Sequence, residues 1–235
     1  MTQRSENLIH EWDVSPSEAR LIQADLAAEV SQSDEFGPLR LVAGIDVGFE
    51  GGGAITRAAV VVLSWPEMRP IEQALLRRET RFPYVPGLLS FRELPAVLEA
   101  IDRLQTLPDL VFCDGQGVAH PRRLGIAAHF GVLTGLASIG VGKSRLVGEY
   151  GELGQAKGET TPLCVGDERI GTVLRSRSGV RPLFISPGHR VSQTTAPLLV
   201  MQALTRFRLP EPIRAAHRLA SAPAIARASG HRPKL

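Results

Sequence analysis

The sequence predicts one α/β domain, residues 1–235, with a mixed sheet flanked by helices: an antiparallel meander first, then parallel strands. Three observations support this prediction. Between positions 41 and 79, apolar runs of strand length follow one another with short turns, as in a meander. From position 93 to 142, strand patterns alternate with helical periodicity, as in parallel strands joined by helices. Neither an internal repeat nor a linker sequence divides the chain.

The first predicted helix lies in an N-terminal extension, residues 1–35. Ser15 is followed by Pro16 at the first helical position and by Glu18 three residues after the cap, which is the pattern of a capping box. Apolar residues then recur at helical spacing, at Ala19, Ile22, Leu26 and Val30. We therefore expect this helix to pack one face against the rest of the domain.

The first half of the domain is predicted to contain four strands and one helix. The strands are "RLVAGIDVGFEGGG", "AITRAAVVVLSW", "IEQALLRRETR" and "LPDLVFCD". Between the third and fourth lies "PYVP", an extended loop, because each Pro restricts the residue before it. A helix from about Glu93 follows this loop. These elements would place the loop next to the start of a helix and the end of a strand.

The second half begins with a predicted helix over residues 121–134 and a strand at "ASIGVG". Residues 148–161 are rich in Gly and polar residues and predict a surface excursion. A hairpin, "LCVGDERIGTVLRSR" with "RPLFISPGH", leads to a helix capped by Ser192 and a last helix from Pro212. Residues 229–235 are expected to form a disordered basic tail.

The composition is that of a globular protein with a weak positive charge. Hydrophobic residues make up 43%, the net charge is +3 and the pI is near 9.2, so a phosphate-rich partner is compatible with the chain. No apolar run approaches the roughly 20 residues of a membrane span, and the charged N-terminus is unlike a signal peptide, so we expect a cytoplasmic protein. Cys113 and Cys164 do not have the spacing of a zinc site or a disulfide framework.

Three acidic residues occupy positions that suit a metal centre. Asp46 and Asp114 are each predicted at the end of an apolar strand, and Glu93 at the head of the helix between them. Ligands of open sheets bind beyond the carboxyl ends of strands, and Mg²⁺ prefers carboxylate and phosphate oxygens. A pair of such ions can activate water and stabilise the leaving oxygen of a phosphodiester.

Each carboxylate also has a simpler interpretation. An Asp beside Gly at a strand end is an ordinary turn former, and Ser90 with Glu93 fits a capping box, although Pro95 blurs where that helix begins. Taken singly, neither Asp46 nor Asp114 would indicate a metal site. Their joint placement favours the metal hypothesis.

Histidines and one lysine are weaker candidates. His120, before Pro121, could be an N-cap or a phosphate contact, and His217 on the last helix is of a kind that is more often structural. The segment "GVGKS" lacks the first Gly of a P-loop, because Ala137 stands there. Lys143 remains a candidate for holding a single phosphate.

Six segments together resemble the endonuclease V family, which nicks DNA beside deaminated purines, chiefly deoxyinosine. They are "GIDVGF", "PYVPGLLSFRE", "DGQGVAHPRRLGIAAHFGV", "GVGKS", "ISPGHRVS" and "LPEPIRAAHRLA". They occur in the family's order over residues 41–220. The resemblance implies a ribonuclease H-like fold for the predicted mixed sheet.

The resemblance also implies roles for individual residues. Asp46 and Asp114 would bind Mg²⁺, for which Mn²⁺ could substitute, and Glu93 would complete the acidic centre. His217 would assist this site, and Lys143 would lie near the scissile phosphate. The residues implied at the DNA are Tyr84, as a wedge at the lesion, Gly87, Leu89 and Gly115 near an extruded base, and His120.

The expected function is therefore that of a Mg²⁺-dependent DNA repair endonuclease, acting as a monomer. It would cut the phosphodiester 3′ to deoxyinosine and related deaminated bases and leave 3′-hydroxyl and 5′-phosphate ends. An inosine-specific endoribonuclease is one alternative, and a non-catalytic nucleic-acid binding module is another; cleavage of RNA, or metal-independent binding without cleavage, would distinguish them. A phosphatase of small molecules would leave Tyr84 unexplained.

Overall fold

The structure is a computed structural model that describes residues 10–222, so the predicted tail at 229–235 lies outside the described residues. Residues 10–222 contain five α-helices and one short 3-10 helix (Gly51–Gly53), and none of these helices is long and apolar enough to cross a membrane. The α-helices are α1 (Pro16–Ala27), α2 (Leu89–Ile101), α3 (Ile126–Thr134), α4 (Thr195–Gln202) and α5 (Glu211–Ser221).

One mixed sheet forms the centre of the described part of the chain. Its strands are β1 (Leu41–Glu50), β2 (Ile55–Ser64), β3 (Pro70–Glu79), β4 (Leu110–Cys113), β5 (Ala137–Gly142), β6 (Thr160–Val165), β7 (Glu168–Leu174) and β8 (Leu183–His189). Their order across the sheet is β3-β2-β1-β4-β5-β8-β7-β6. The predicted α/β class with a mixed sheet is confirmed.

Pairing within the sheet follows from the connections. The meander β1-β2-β3 is antiparallel as predicted, and β1, β4 and β5 pair in parallel because α2 and α3 lie between consecutive members. In the second half, β4 and β5 pair in parallel as predicted, and β7 and β8 pair antiparallel, as the predicted hairpin requires. The chain places no helix between β5 and β8, and these strands, with β7 and β6, pair antiparallel.

Helices cover both faces of the sheet. Residues of β1 alternate between them: Val42 packs in a core with α4 and α5, whereas Ala43 and Ile45 pack in a second core with α2 and α3. Because both faces are covered, the central strands are apolar almost throughout. A polar side chain on β1 is therefore an exception that marks a site.

Local signals set some element boundaries but not the starts of α2, α3 and α4; the N-cap of α4 is Thr194 rather than Ser192. The capping box at Ser15 is present, and its hydroxyl accepts from the Glu18 amide. Helix α2 begins at Leu89 rather than about Glu93, and Pro95 lies inside it. Helix α3 begins at Ile126 rather than at position 121, because Arg123 has a φ of +56° and breaks the helical path.

Candidate active site

Two aspartates lie side by side on neighbouring parallel strands. Ile45 on β1 is in register with Cys113 on β4, so the next positions along the two strands are Asp46 and Asp114. The Asp114 amide donates to the Ile45 carbonyl (3.2 Å) and extends this pairing by one step. Side chains alternate along a strand, so both carboxylates point to the face of the sheet that carries α5.

Asp46 is not at the end of its strand, contrary to the prediction. Strand β1 continues to Glu50 because β2 pairs with it along its whole length. Strand β4 stops at Cys113, so the parallel side of β1 is open from Asp46 onward. The early end of β4 therefore leaves Asp46 beside an open edge, although Asp46 does not end its own strand.

Glu93 reaches the same site from α2. Its side chain is buried, and burial, with the charges of Asp46 and then Asp114, raises the pKa of Glu93 to about 8. The capping-box interpretation is wrong, because Leu88 is the N-cap and the Ser90 hydroxyl bonds His129 Nδ1 (2.9 Å) instead. Glu93 thus belongs to the acidic centre by position.

Desolvation also acts on Asp114. Burial raises its pKa to about 6, although Lys143 favours the charged form; the nearby Asp46 raises it further. The Lys143 ammonium forms an ion pair with Asp114 Oδ2. Concentrated carboxylates repel one another unless a cation lies among them, and Lys143 supplies part of that charge.

His217 comes from α5, which lies directly against β1. A Cβ at Gly44 would be 1.9 Å from the Pro212 carbonyl, so only a glycine allows this close approach. Because α5 lies so close to β1, His217 Nδ1 lies within hydrogen-bond distance of Asp46 Oδ2 (2.8 Å). The His217 side chain is 54% exposed. The histidine that simple reasoning treated as structural is therefore in contact with the acidic centre.

Metal-ion chemistry is compatible with this set of donors. Among residues 10–222, no group of three or more His, Cys, Asp or Glu side chains is arranged to hold one metal ion. Mg²⁺, however, commonly takes only one or two protein carboxylates and completes its shell with water and phosphate oxygens. Asp46 and Asp114 provide this number of oxygen ligands.

A pocket of about 400 Å³ opens beside Asp114. Tyr84 lines the pocket and is 72% exposed, so its ring is open to contact from solvent. The sequence-predicted residues Gly87, Leu89, Gly115 and His120 all line it. Lys143, Ser144 and Gln116 also line it, and Gln116 Nε2 donates to the Ser144 carbonyl (2.9 Å).

The N-cap interpretation of His120 is wrong, because the N-cap of α3 is Gly125. Both ring nitrogens of His120 bond within the protein, since Nε2 bonds the Gly87 carbonyl (3.0 Å) and Nδ1 accepts from the Arg122 amide (3.2 Å). Burial, with a smaller effect of Arg122, lowers its pKa to about 4 and thus favours the neutral ring.

Comparison with known proteins identifies the family. The Endonuclease V family model matches residues 24–218. The chain belongs to the endonuclease V family. Members of this family are nucleases, and the chain is accordingly a hydrolytic endonuclease.

Relatives and solved structures match nearly the whole chain. Endonuclease V of Azotobacter vinelandii is 58% identical, with 90% of this chain and 96% of that protein covered. The crystal structure of endonuclease V from Streptomyces avermitilis has a TM-score of 0.84 at 41% identity and covers 89% of this chain and 92% of its own. That of Ciona intestinalis endonuclease V, bound to a 24mer DNA containing an inosine followed by a ribo-adenosine, has a TM-score of 0.75 at 25% identity, covering 87% and 95%.

Sequence reasoning missed the polar residues that support the pocket. Gln23 lines it from α1, and Ser90 lines it from the first turn of α2. Gln23 could have been found, because it lies within the apolar stripe of α1, four residues after Ala19 and three before Leu26. A polar side chain inside such a stripe is buried and needs hydrogen-bond partners.

Proposed function

We propose that this endonuclease cleaves DNA at deoxyinosine, at the phosphodiester on the 3′ side of the lesion, and leaves 3′-hydroxyl and 5′-phosphate ends. One observation carries the proposal. Two in-register carboxylates, Asp46 and Asp114, adjoin a pocket that is lined in part by the exposed Tyr84. A centre for phosphodiester hydrolysis thus lies next to a space for an extruded base.

The cofactor of this proposal is a divalent metal, Mg²⁺, which Mn²⁺ could replace. Asp46 and Asp114 would hold it, and Glu93 would support it or its water. The raised pKa of Glu93 and of Asp114 supports this assignment, since burial and then the neighbouring carboxylates raise both values, and a divalent cation would favour the charged forms. When bound, the metal supplies an activated water and stabilises charge on the leaving oxygen.

Two cationic or neutral donors of the protein act beside the carboxylates. Lys143, paired with Asp114 and 40% exposed, carries a positive charge to the place where a phosphate would approach. His217 holds Asp46 Oδ2 through Nδ1, which fixes that carboxylate's orientation, and its exposed ring lies within reach of solvent. These contacts give Lys143 a role at the phosphate and His217 a role at Asp46.

The pocket supports recognition of a base taken out of the duplex. Tyr84 lies between Pro83 and Pro86, which stiffen the loop, so its ring can fill the gap that the base leaves. Gly115 has no side chain to occupy the pocket, and a Cβ there would be 2.6 Å from Ile126. Base extrusion costs a few kcal/mol, which such stacking partly offsets.

The substrate proposal draws on one relative whose structure was solved in complex with DNA. Ciona intestinalis endonuclease V was crystallised with DNA containing an inosine, and the fold and order of elements are shared with this chain. The ribo-adenosine that follows the inosine in that DNA also favours a second candidate, cleavage of inosine-containing RNA. The acting form in this proposal is a monomer.

The deciding experiment compares nicking of an inosine-containing duplex with an undamaged duplex, with Mg²⁺ and with EDTA. We expect cleavage of the inosine-containing duplex at the phosphodiester on the 3′ side of the lesion, and only when Mg²⁺ is present. Asp114→Asn should reduce nicking by at least about 10³-fold, as expected for loss of a metal ligand, while binding is retained. Asp167→Asn, at an exposed hairpin position, is the matched control and should keep full activity.

Two results would contradict the proposal: full activity of Asp114→Asn, or cleavage in EDTA. The same assay with single-stranded RNA at identical salt tests the second candidate, since nucleic-acid binding depends on salt. Faster cleavage of the RNA would make RNA the principal substrate.

A further inference from the structure

Three side chains donate to the carbonyl of Gly87, in the loop that follows "PYVP". Arg122 Nη2 lies 2.8 Å from this oxygen, His120 Nε2 3.0 Å and Gln23 Nε2 3.1 Å. A carbonyl oxygen offers two lone pairs, so three donors use its capacity fully. Gly87 also has a φ of +77°, which a residue with a side chain rarely adopts.

Gln23 is the residue that joins this group to the N-terminal helix. It is only 1% exposed, and it donates a second bond to the Leu124 carbonyl (3.1 Å) and accepts from Arg122 Nε (2.6 Å). One side chain of α1 therefore contacts the loop of Gly87, the turn before α3 and the guanidinium that also bonds Gly87. Buried polar groups with all partners satisfied fix a local structure.

The donor directions are consistent for all three side chains. His120 Nδ1 accepts from the Arg122 amide, so Nε2 carries the hydrogen of the neutral ring and donates to Gly87. Arg122 can only donate, and its Nε and Nη2 bond Gln23 Oε1 and the Gly87 carbonyl. No other assignment of hydrogens satisfies every bond.

A second polar connection joins the N-terminal segment to the pocket. His10 Nδ1 donates to the Glu11 carbonyl (2.7 Å), so His10 Nε2 accepts from His129 Nε2 (2.9 Å). His129, fully buried, then accepts at Nδ1 from the hydroxyl of Ser90 (2.9 Å), which lines the pocket. The N-terminal segment thus holds both the loop and the first turn of α2.

We propose that Gln23 is a positioning residue for base recognition: the N-terminal helix holds the Gly87 loop, and with it Tyr84, in the geometry that accepts the extruded base. The role in recognition rests on the proposed function; the role in holding the loop does not. Saturation of the Gly87 carbonyl also removes an acceptor from the pocket wall. A normal guanine, which differs from hypoxanthine by an amino group, therefore finds no partner there.

The test has one readout that needs no substrate. The Leu88 amide, which donates to the Val85 carbonyl (2.9 Å), reports on the loop. In hydrogen exchange of the ligand-free protein, Gln23→Met should increase exchange in residues 84–90 by roughly tenfold, the factor that corresponds to about 1.4 kcal/mol. Asp25→Met, at an exposed position of the same helix, is the matched control and should leave this exchange unchanged.

The second readout is steady-state nicking. Gln23→Met should raise KM for the inosine duplex by roughly tenfold with kcat within about twofold, and should reduce the preference for inosine over guanine. If Gln23→Met does not fold, Arg122→Met removes a donor from the same carbonyl. In a folded double variant the two effects should be less than additive, because both residues act on one atom.

Unchanged exchange in residues 84–90 in both variants would overturn the proposal, even if thermal stability fell. Unchanged KM and selectivity with increased exchange would overturn the role in recognition. A wild-type protein that does not nick inosine DNA would instead contradict the proposed function, and the exchange result would still decide whether Gln23 holds the loop.

Discussion

Asp114 belongs to the acidic centre and also lines the pocket beside it, but the two regions are built from opposite kinds of interaction. The centre consists of like charges: Asp46 and Asp114 in register on two strands, and Glu93 buried against them. The pocket is framed by loops, and neutral or cationic donors hold these loops through backbone carbonyls. The centre thus lowers the stability of the metal-free fold, whereas the pocket frame contributes to it.

The sign of the first effect follows from Glu93. Its pKa is raised in the folded protein to about 8, above the ordinary value of 4.5. A carboxyl with a raised pKa costs stability where the unfolded chain is ionised, so the cost grows as pH rises from about 4.5 to about 8 and is absent below that window. A neutral isostere at this position should remove the cost.

After the loss expected for Asp114→Asn, the largest effect that bears on this comparison is that of Glu93→Gln. We expect kcat to fall by roughly 10²-fold, the lower range for loss of an acid–base or metal-supporting group. In EDTA at pH 8, the melting temperature should rise by about 2–4 °C for each kcal/mol that the substitution adds to the free energy of unfolding. Thermal melts at pH 5 and pH 8 check the sign, because the gain should shrink at the lower pH.

Glu99→Gln, on an exposed part of the same helix, is the control for Glu93→Gln. It should leave kcat within about twofold and should not show the same pH-dependent gain in melting temperature. A Glu93→Gln protein that melts lower than the wild type at pH 8 would contradict the view that the centre destabilises the metal-free fold.

The next largest effect is expected in the pocket, at Tyr84. Tyr84→Ala should raise KM for an inosine duplex by about tenfold, within the 1–3 kcal/mol that stacking of a base on an aromatic ring contributes. Stability should stay within about 0.5 kcal/mol, since the ring is exposed. The loss should be smaller on single-stranded DNA, where no base must be unstacked from a duplex.

The other tyrosine of the chain provides the control. Tyr150→Ala removes an aromatic ring that packs edge-on against Phe184 at 5.8 Å between centroids and does not line the pocket. We expect lower stability and an unchanged KM. Equal increases in KM for the two variants would mean that Tyr84 has no specific role at the lesion.

The acidic centre could be predicted from sequence because its residues interrupt regular patterns. Asp46 and Asp114 are acidic positions in or directly after apolar strands, and Glu93 was placed with them by its position. The resemblance to endonuclease V implied roles for His217 and Lys143. The positions of these residues within their strands could not be predicted as well. Whether Asp46 ends a strand depends on how far β1 pairs with β2, which is a tertiary property that local sequence does not contain.

The support of the pocket could not be predicted in the same way. Gln23 and Gly87 lie 64 positions apart, and their hydrogen bond follows from the packing of α1 rather than from any local motif. The antiparallel pairing of β5 with β8 was missed for a similar reason, because strand direction there depends on a missing crossover helix. Signals within one element were read with mixed success: the capping box at Ser15 is present, whereas the similar pattern at Ser90 and Glu93 does not cap α2.

The smallest expected effect tests how the fold holds His217. Arg57 on β2 is only 6% exposed; its Nη2 donates to the Leu219 carbonyl of α5 (3.0 Å) and its Nη1 to Glu50 (3.3 Å). Leu219 lies two residues after His217. Arg57 therefore fixes the end of α5, on which the contact between His217 and Asp46 depends.

Arg57→Met should lower kcat by roughly threefold with KM unchanged, and should destabilise the protein by about 1–3 kcal/mol because the Leu219 carbonyl and Glu50 lose a charged donor. Arg77→Met, which removes the other arginine bound to Glu50 but no contact to α5, is the matched control and should leave kcat unchanged. Kinetics in a His217→Ala background separate positioning from general destabilisation. If Arg57 acts through His217, Arg57→Met should have no further effect on kcat there, since the two changes interrupt one interaction; a full threefold loss in that background would show that Arg57 does not act through the histidine.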